Sequence, residues 1–132
     1  ASARLGAPIG HDFCVINWSD NLKSWDILKS RVIAAAKADF VIAFYNPRSK
    51  SRKNQLSEIY DVLRKNCKSD RIVIYANSIS TESEAVFETT LSEADASSVS
   101  MKTLVIIGSS RTKKIRNTGY IYTPRYSGVE KN

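Results

Sequence analysis

The chain has 132 residues, 42% hydrophobic and 25% charged, a balance that suits one globular domain and excludes a disordered chain. A formal net charge of +7 and a pI of about 9.5 draw anionic partners, whether nucleic acid, anionic lipid or a ligand rich in carboxylate or phosphate. They do not choose among these, and a merely soluble basic surface fits as well. No apolar run approaches the roughly 20 residues of a membrane span, and ASARLGAP lacks the basic and apolar regions of a signal peptide, so a cytoplasmic setting is expected.

In chain order, Ala1–Leu5 with Gly6 and Pro8 reads as the last turn of a helix and its stop, which predicts that further chain precedes it. Asp12–Ile16 reads as a short buried strand. Ser24 can cap a helix through Lys37, because Trp25, Leu28, Val32 and Ala36 recur at spacings of three and four and share a face. Asp39–Tyr45 (DFVIAFY) is nearly continuous in apolar residues, the pattern of a strand buried on both faces, and it ends at the turn signal Asn46-Pro47.

A basic loop with Arg48, Lys50, Arg52 and Lys53 follows. Leu56, Ile59, Tyr60 and Leu63 then mark an amphipathic helix to about Cys67. Arg71–Tyr75 is a further buried strand, Asn77–Ser83 a polar loop and Glu84–Thr90 a strand with Ala85 and Phe87 on one face. A helical turn is expected near Ser92–Asp95. Thr103–Ile107 (TLVII) is a strand stopped by Gly108, the stretch to Asn117 is basic, and Tyr120–Tyr122 reads as an edge strand before Pro124. Strands alternating with helices predict an α/β fold: an open mixed, mainly parallel sheet with helices on both faces.

Several chemistries lack their signatures. GxGxxG, GxxxxGK[ST] and GxSxG do not occur, and five glycines leave little for a phosphate-cradling loop. The two cysteines, Cys14 and Cys67, have no CxxC spacing, and the single His11 has no ligand partners in sequence, so no metal site is expected. Cys14 reads as a small buried hydrophobe.

Open α/β sheets bind ligands beyond the carboxyl ends of their strands. Two such ends, Tyr45-Asn46-Pro47 and Ala76-Asn77-Ser78, offer turn backbone and short polar side chains able to hydrogen-bond a flat heterocycle, and they read equally as ordinary turns. The basic clusters (Arg48, Lys50, Arg52 and Lys53; Arg111, Lys113, Lys114 and Arg116) read either as a solvated face or as holders of carboxylates or phosphates. His11-Asp12, a polar pair at a strand start, reads as a turn device more readily than as an acid/base pair.

Longer strings carry a resemblance. ARLGAPIGHDFCVINWSDNLKSW, AAAKADFVIAFYNPRSKSR, TLVIIGSSRT and YIYTPRYS resemble, in the same order, segments of the precorrin-3B C(17)-methyltransferases, which are tetrapyrrole methylases of cobalamin biosynthesis. The resemblance covers nearly the whole chain and implies that residues 1–132 are the C-terminal domain, with the N-terminal domain absent.

That family transfers a methyl group from S-adenosylmethionine to C-17 of precorrin-3B, or of its cobalt form cobalt-precorrin-3, with ring contraction and release of S-adenosylhomocysteine. The cofactor sits between two α/β domains. Carried over by position, the cofactor contacts are Tyr45, Asn46, Asn77 and Ser78, with Thr103 as a further candidate. Arg48, Lys50, Arg52 and His11 are candidate contacts to the carboxylate rim of the substrate. The resemblance names no general base.

The sequence departs from the family where NAGRPGE becomes Asn77-Ser78-Ile79-Ser80-Thr81-Glu82-Ser83, and where Asn17-Trp18 replaces a smaller pair. The glycine-rich turns of the N-terminal domain are missing, so the resemblance implies a fragment that is inactive alone, within an enzyme that is commonly a homodimer. The alternative readings are a small basic module for nucleic acid or another polyanion, which would show steep salt dependence, and a non-catalytic dimerisation domain.

Overall fold

A helix beginning at Trp25 needs a partner for its first free amides, and Ser24 provides one. The Ser24 backbone is extended and its hydroxyl accepts a hydrogen bond from the Ile27 amide at 3.4 Å. The structure, a computed structural model, describes residues 6–7, 12–18, 24–45, 55–68, 70–77, 85–95, 103–114 and 120–124. Its helices are Trp25–Lys37 (α1) and Gln55–Asn66 (α2). Its strands are Gly6–Ala7 (β1), Phe13–Asn17 (β2), Val41–Tyr45 (β3), Ile72–Asn77 (β4), Ala85–Thr90 (β5), Thr103–Ile107 (β6), Lys113–Lys114 (β7) and Ile121–Tyr122 (β8).

Five strands form the main sheet in the order β2-β3-β6-β4-β5. The expected α/β fold with a mixed sheet is present, but parallel pairing does not dominate. Only β2 and β3 pair in parallel, whereas β6 runs antiparallel to both β3 and β4, and β5 is antiparallel to β4. The reason is that a continuous apolar strand reports burial on two faces and carries no information on direction. β2, β3 and β4 do point the same way, as two successive βαβ units require, and β6 is slotted between the last two.

The expectation of helices on both faces is also corrected. Among the described residues α1 and α2 lie on one face, where Leu28, Val32 and Ala36 of α1 and Leu56, Ile59, Tyr60 and Leu63 of α2 pack on Phe44, Val73, Tyr75 and Val105. The path of the chain explains this. From β2 to β3 to β4 the strands advance across the sheet without reversing, so crossovers of one hand place both helices on the same side. On the other face Val41, Ala43, Ile74 and Ile106 pack against Ile121 of a small second sheet, of order β1-β8-β7. Tyr120–Tyr122, expected as an edge, therefore supplies the middle strand of that sheet. Gly6–Ala7, expected as a helix stop, and Lys113–Lys114, expected as loop, are its outer strands.

The helix face contains one buried polar pair. The Tyr60 and Tyr75 hydroxyls are 2.8 Å apart, and burial, reinforced by the Tyr75 hydroxyl, pushes the Tyr60 phenol far above its ordinary value. Arg64 fastens the turn after β5 by donating to the Leu91 and Ala94 carbonyls at 2.9 and 2.8 Å. The end of α1 is a Schellman closure: the Phe40 amide donates to the Ala35 carbonyl and the Asp39 amide to the Ala36 carbonyl, both at 3.1 Å, with Asp39 at φ 63°. Glycine usually holds that position, and aspartate is tolerated because its short polar side chain finds local partners. Here Asp39 accepts from Arg71 Nη2 at 3.0 Å and from the Ser110 amide at 2.8 Å, joining α1, the start of β4 and the turn after β6.

Because the Ser24–Ile27 bond is long, Ser24→Ala is expected to cost about 0.5–1 kcal/mol, the low end for a lost helix cap. Urea denaturation followed by circular dichroism measures it, and a cost indistinguishable from zero would mean that the hydroxyl does not cap the helix.

Candidate functional site

The strand directions gather one end of the sheet from separate parts of the chain. β2, β3 and β4 stop there, while β5 and β6 begin there. Register fixes which residues meet: Asn17 lies opposite Tyr45, Phe44 opposite Val105, and Asn77 opposite Thr103. Three of the residues expected to hold a cofactor, Tyr45, Asn77 and Thr103, thus come from three strands to one rim. The Tyr45 side chain is 41% exposed, whereas Thr103 is buried. By alternation Tyr45 is on the face of Val41 and Ala43, and Thr103 on the helix face with Val105 and Ile107, so the two share the rim from opposite faces of the sheet. Asn46 and Ser78 lie outside the described residues, as do His11, Arg48, Lys50 and Arg52.

Beneath this rim is an aromatic floor. Trp18 follows β2 directly, is fully buried, and its amide donates to the Tyr45 carbonyl at 3.1 Å. Its ring meets Phe44 at 5.3 Å and, edge-on, Trp25 in the first turn of α1 at 6.2 Å. The ends of β2 and β3 and the start of α1 are therefore fixed to one another. The Trp18 indole Nε1 has no acceptor among the described residues. Sequence reasoning singled out Asn17-Trp18 only as a departure in side-chain size. A tryptophan placed directly after a buried strand was the available sign of a structural role.

The remaining sequence candidates lie elsewhere. Arg111 sits in the turn beyond Ile107, the far end of β6, and Lys114 pairs with Glu88 of β5, so neither lies at the rim of strand ends. Cys14 is half-buried against the helix-face core and its thiol is pushed up by burial. Among the described residues no group of three or more His, Cys, Asp or Glu could hold a metal ion, and no helix is long and apolar enough to cross a membrane.

Set beside known proteins, residues 1–95 match the family described as tetrapyrrole (corrin/porphyrin) methylases. A precorrin-3B C(17)-methyltransferase of a Sinorhizobium species is 44% identical over 128 residues, which span 95% of this chain and 50% of that protein. A probable cobalt-factor III C(17)-methyltransferase of Salmonella typhimurium is 40% identical over 125 residues, 95% of this chain and 51% of that one. The crystal structure of the methyltransferase CobJ superposes with a TM-score of 0.89 at 42% identity, covering 94% of this chain and 51% of that chain. The chain spans about half the length of the curated relatives it matches.

Proposed function

Since this chain belongs to the tetrapyrrole methylases, we propose that it is the C-terminal half of an enzyme that methylates C-17 of precorrin-3B or its cobalt form, using S-adenosylmethionine. The relatives' names and their doubled length support the reaction and the missing half. The comparisons lend no support to a nucleic-acid module.

The observation that carries the proposal is the convergence of Tyr45, Asn77 and Thr103 on one end of the sheet, at strand termini that the chain supplies separately. The exposed Tyr45 ring offers a flat apolar surface that suits the adenosyl end of the cofactor, and the buried Thr103 supports the rim from the helix face. When bound, the cofactor supplies an electrophilic methyl on a sulfonium. The work of this chain is to form one wall, keep water from the adenosyl group and fix its position, since transfer to a ring carbon depends on alignment of donor and acceptor. Asn46 and Ser78 are further cofactor contacts in this proposal, and Arg48, Lys50, Arg52 and His11 its candidate contacts to the substrate carboxylates. The expected homodimer belongs to the proposal as well. The exposed Phe13 and Val15 on β2, which among the described residues pairs only with β3, support an apolar contact there.

Calorimetric titration of S-adenosylhomocysteine tests the wall. This chain alone is expected to bind weakly or not at all, and its mixture with a separately produced N-terminal half to bind saturably. Tyr45→Ala in this chain is expected to weaken binding in the mixture about tenfold, the scale of one lost ring contact. Tight binding by the mixture that Tyr45→Ala and Thr103→Val leave unchanged would remove these residues from the site.

A further inference from the structure

The opposite end of the sheet carries a second cavity that methyl transfer does not use. A pocket of about 550 Å³ opens between the end of α2 and the turn after β6, with Lys65, Asn66, Lys68 and Arg71 on one side and Ser109 and Thr112 on the other. Its charge is net positive. Lys65, Lys68 and Arg71 line it with the carboxylate of Asp70, and the Asp39 carboxylate, bonded to Arg71 and to Ser110, offsets the arginine, so the surplus positive charge comes from the two lysines. Cys67 adds no charge, because burial pushes its thiol up, outweighing the pull of Arg71. The carbonyls at the end of α2 oppose an anion, but the Val62 carbonyl is taken by Asn66 Nδ2 at 2.8 Å and the Leu63 carbonyl by the Cys67 amide at 2.8 Å.

Arg71 is the centre of the pocket's chemistry. Its side chain is 8% exposed; Nη2 is held by Asp39 at 3.0 Å and Nη1 approaches the Gly108 carbonyl at 3.4 Å. Nε is buried and has no acceptor among the described residues, and a buried donor left unpaired costs about 1–3 kcal/mol. The facing turn is built in advance. The Ser109 amide donates to Thr112 Oγ1 at 2.9 Å, and Thr112 Oγ1 is 2.7 Å from Thr123 Oγ1. Gly108 allows this approach, since a Cβ there would lie 2.8 Å from Thr112 Cβ. A hydroxyl-bearing turn, the Asp39-paired Arg71 at the base and two exposed lysines line a pocket sized for a compact polyanion.

We propose that this pocket binds a phosphate oxyanion of the diphosphate class, either free or as the diphosphate end of a larger ligand. Lys65 and Lys68 hold the anion's oxygens, and Arg71, tied to Asp39, forms the base of the pocket. The site lies across the sheet from Tyr45, Asn77 and Thr103, so it stands or falls independently of the cofactor wall.

The test is calorimetric titration of sodium diphosphate, and separately of ADP, into the chain at constant ionic strength. One saturable site per chain is expected. Lys65→Glu with Lys68→Glu should weaken it at least tenfold, while Lys29→Glu with Arg31→Glu on α1, matched in charge, should leave it within twofold. ADP bound at least as tightly with the same dependence on Lys65 and Lys68 identifies a nucleotide as the source, and ADP bound tenfold more weakly identifies the free anion. Absence of a saturable site, or equal losses in the two double variants, overturns the proposal, since a chain of net charge +7 attracts anions everywhere.

Discussion

Trp18→Ala is expected to lower the free energy of unfolding by about 3–5 kcal/mol, the usual range for truncating a fully buried tryptophan. Domains of this size hold only about 5–15 kcal/mol in total, so the variant should unfold at much lower urea, with the midpoint read by circular dichroism because one of the two tryptophan fluorophores is removed. The loss has two parts: the indole's packing on Phe44 and Trp25, and a cavity at the place where β2, β3 and α1 meet. Trp18→Phe should cost far less, because it keeps most of the ring contact and deletes the indole N–H, which has no acceptor among the described residues. A loss under about 1 kcal/mol for the alanine variant would place the indole at the surface rather than in the core. Functionally, Trp18→Ala should also loosen Tyr45, whose carbonyl accepts from the Trp18 amide.

The second large effect is expected at Asp39. Asp39→Ala removes the partner of the buried Arg71 guanidinium and puts a Cβ-bearing residue without local hydrogen bonds at φ 63°. The lost pair approaches the roughly 3–5 kcal/mol of a broken buried ion pair, reduced because the Asp39 side chain is 37% exposed. The left-handed backbone adds about 1 kcal/mol. Asp39→Gly restores the backbone freedom and not the charge, and Asp39→Asn keeps an acceptor for the Ser110 amide while losing the charge. The expected order of stability is wild type, then Asn, then Gly, then Ala, measured by urea denaturation. An alanine variant as stable as the glycine variant would show that the backbone angle contributes nothing.

Much of this fold was legible from periodicity alone. Leu56, Ile59, Tyr60 and Leu63 were assigned to one helical face and all four are buried. DFVIAFY was read as a strand buried on both faces, and Val41–Phe44 are buried; TLVII was read as a strand, and Thr103–Ile107 is one. Strand direction and order were not legible, because side-chain polarity encodes how many faces are covered and not which neighbour lies alongside. The position of β6 between β3 and β4 is a property of long-range pairing. The small sheet escaped for a related reason: two-residue strands such as Gly6–Ala7 and Lys113–Lys114 are too short to show alternation.

The site was legible in part. The rule that ligands lie beyond strand ends pointed to Asn46 and Asn77, the resemblance added Tyr45 and Thr103, and the register brings Thr103 opposite Asn77, while Asn46 lies outside the described residues. The pocket at the other end was missed because its parts, Lys65, Arg71 and Ser109, belong to separate segments with no motif among them. Asp39 was read only as the start of an apolar strand, although an aspartate following the run Ala34-Ala35-Ala36-Lys37-Ala38 occupies the place where a helix-ending glycine is common.

The placement of β6 in the middle of the sheet has a consequence for synthesis on the ribosome. Until Thr103–Ile107 has emerged, the nascent chain holds two separate pieces, β2-α1-β3 and the β4–β5 hairpin, each with an apolar strand edge awaiting the same partner. Such edges invite pairing with other chains. The last core strand to be translated is therefore the one that closes the sheet, and a product released before it would carry two sticky edges instead of one finished domain.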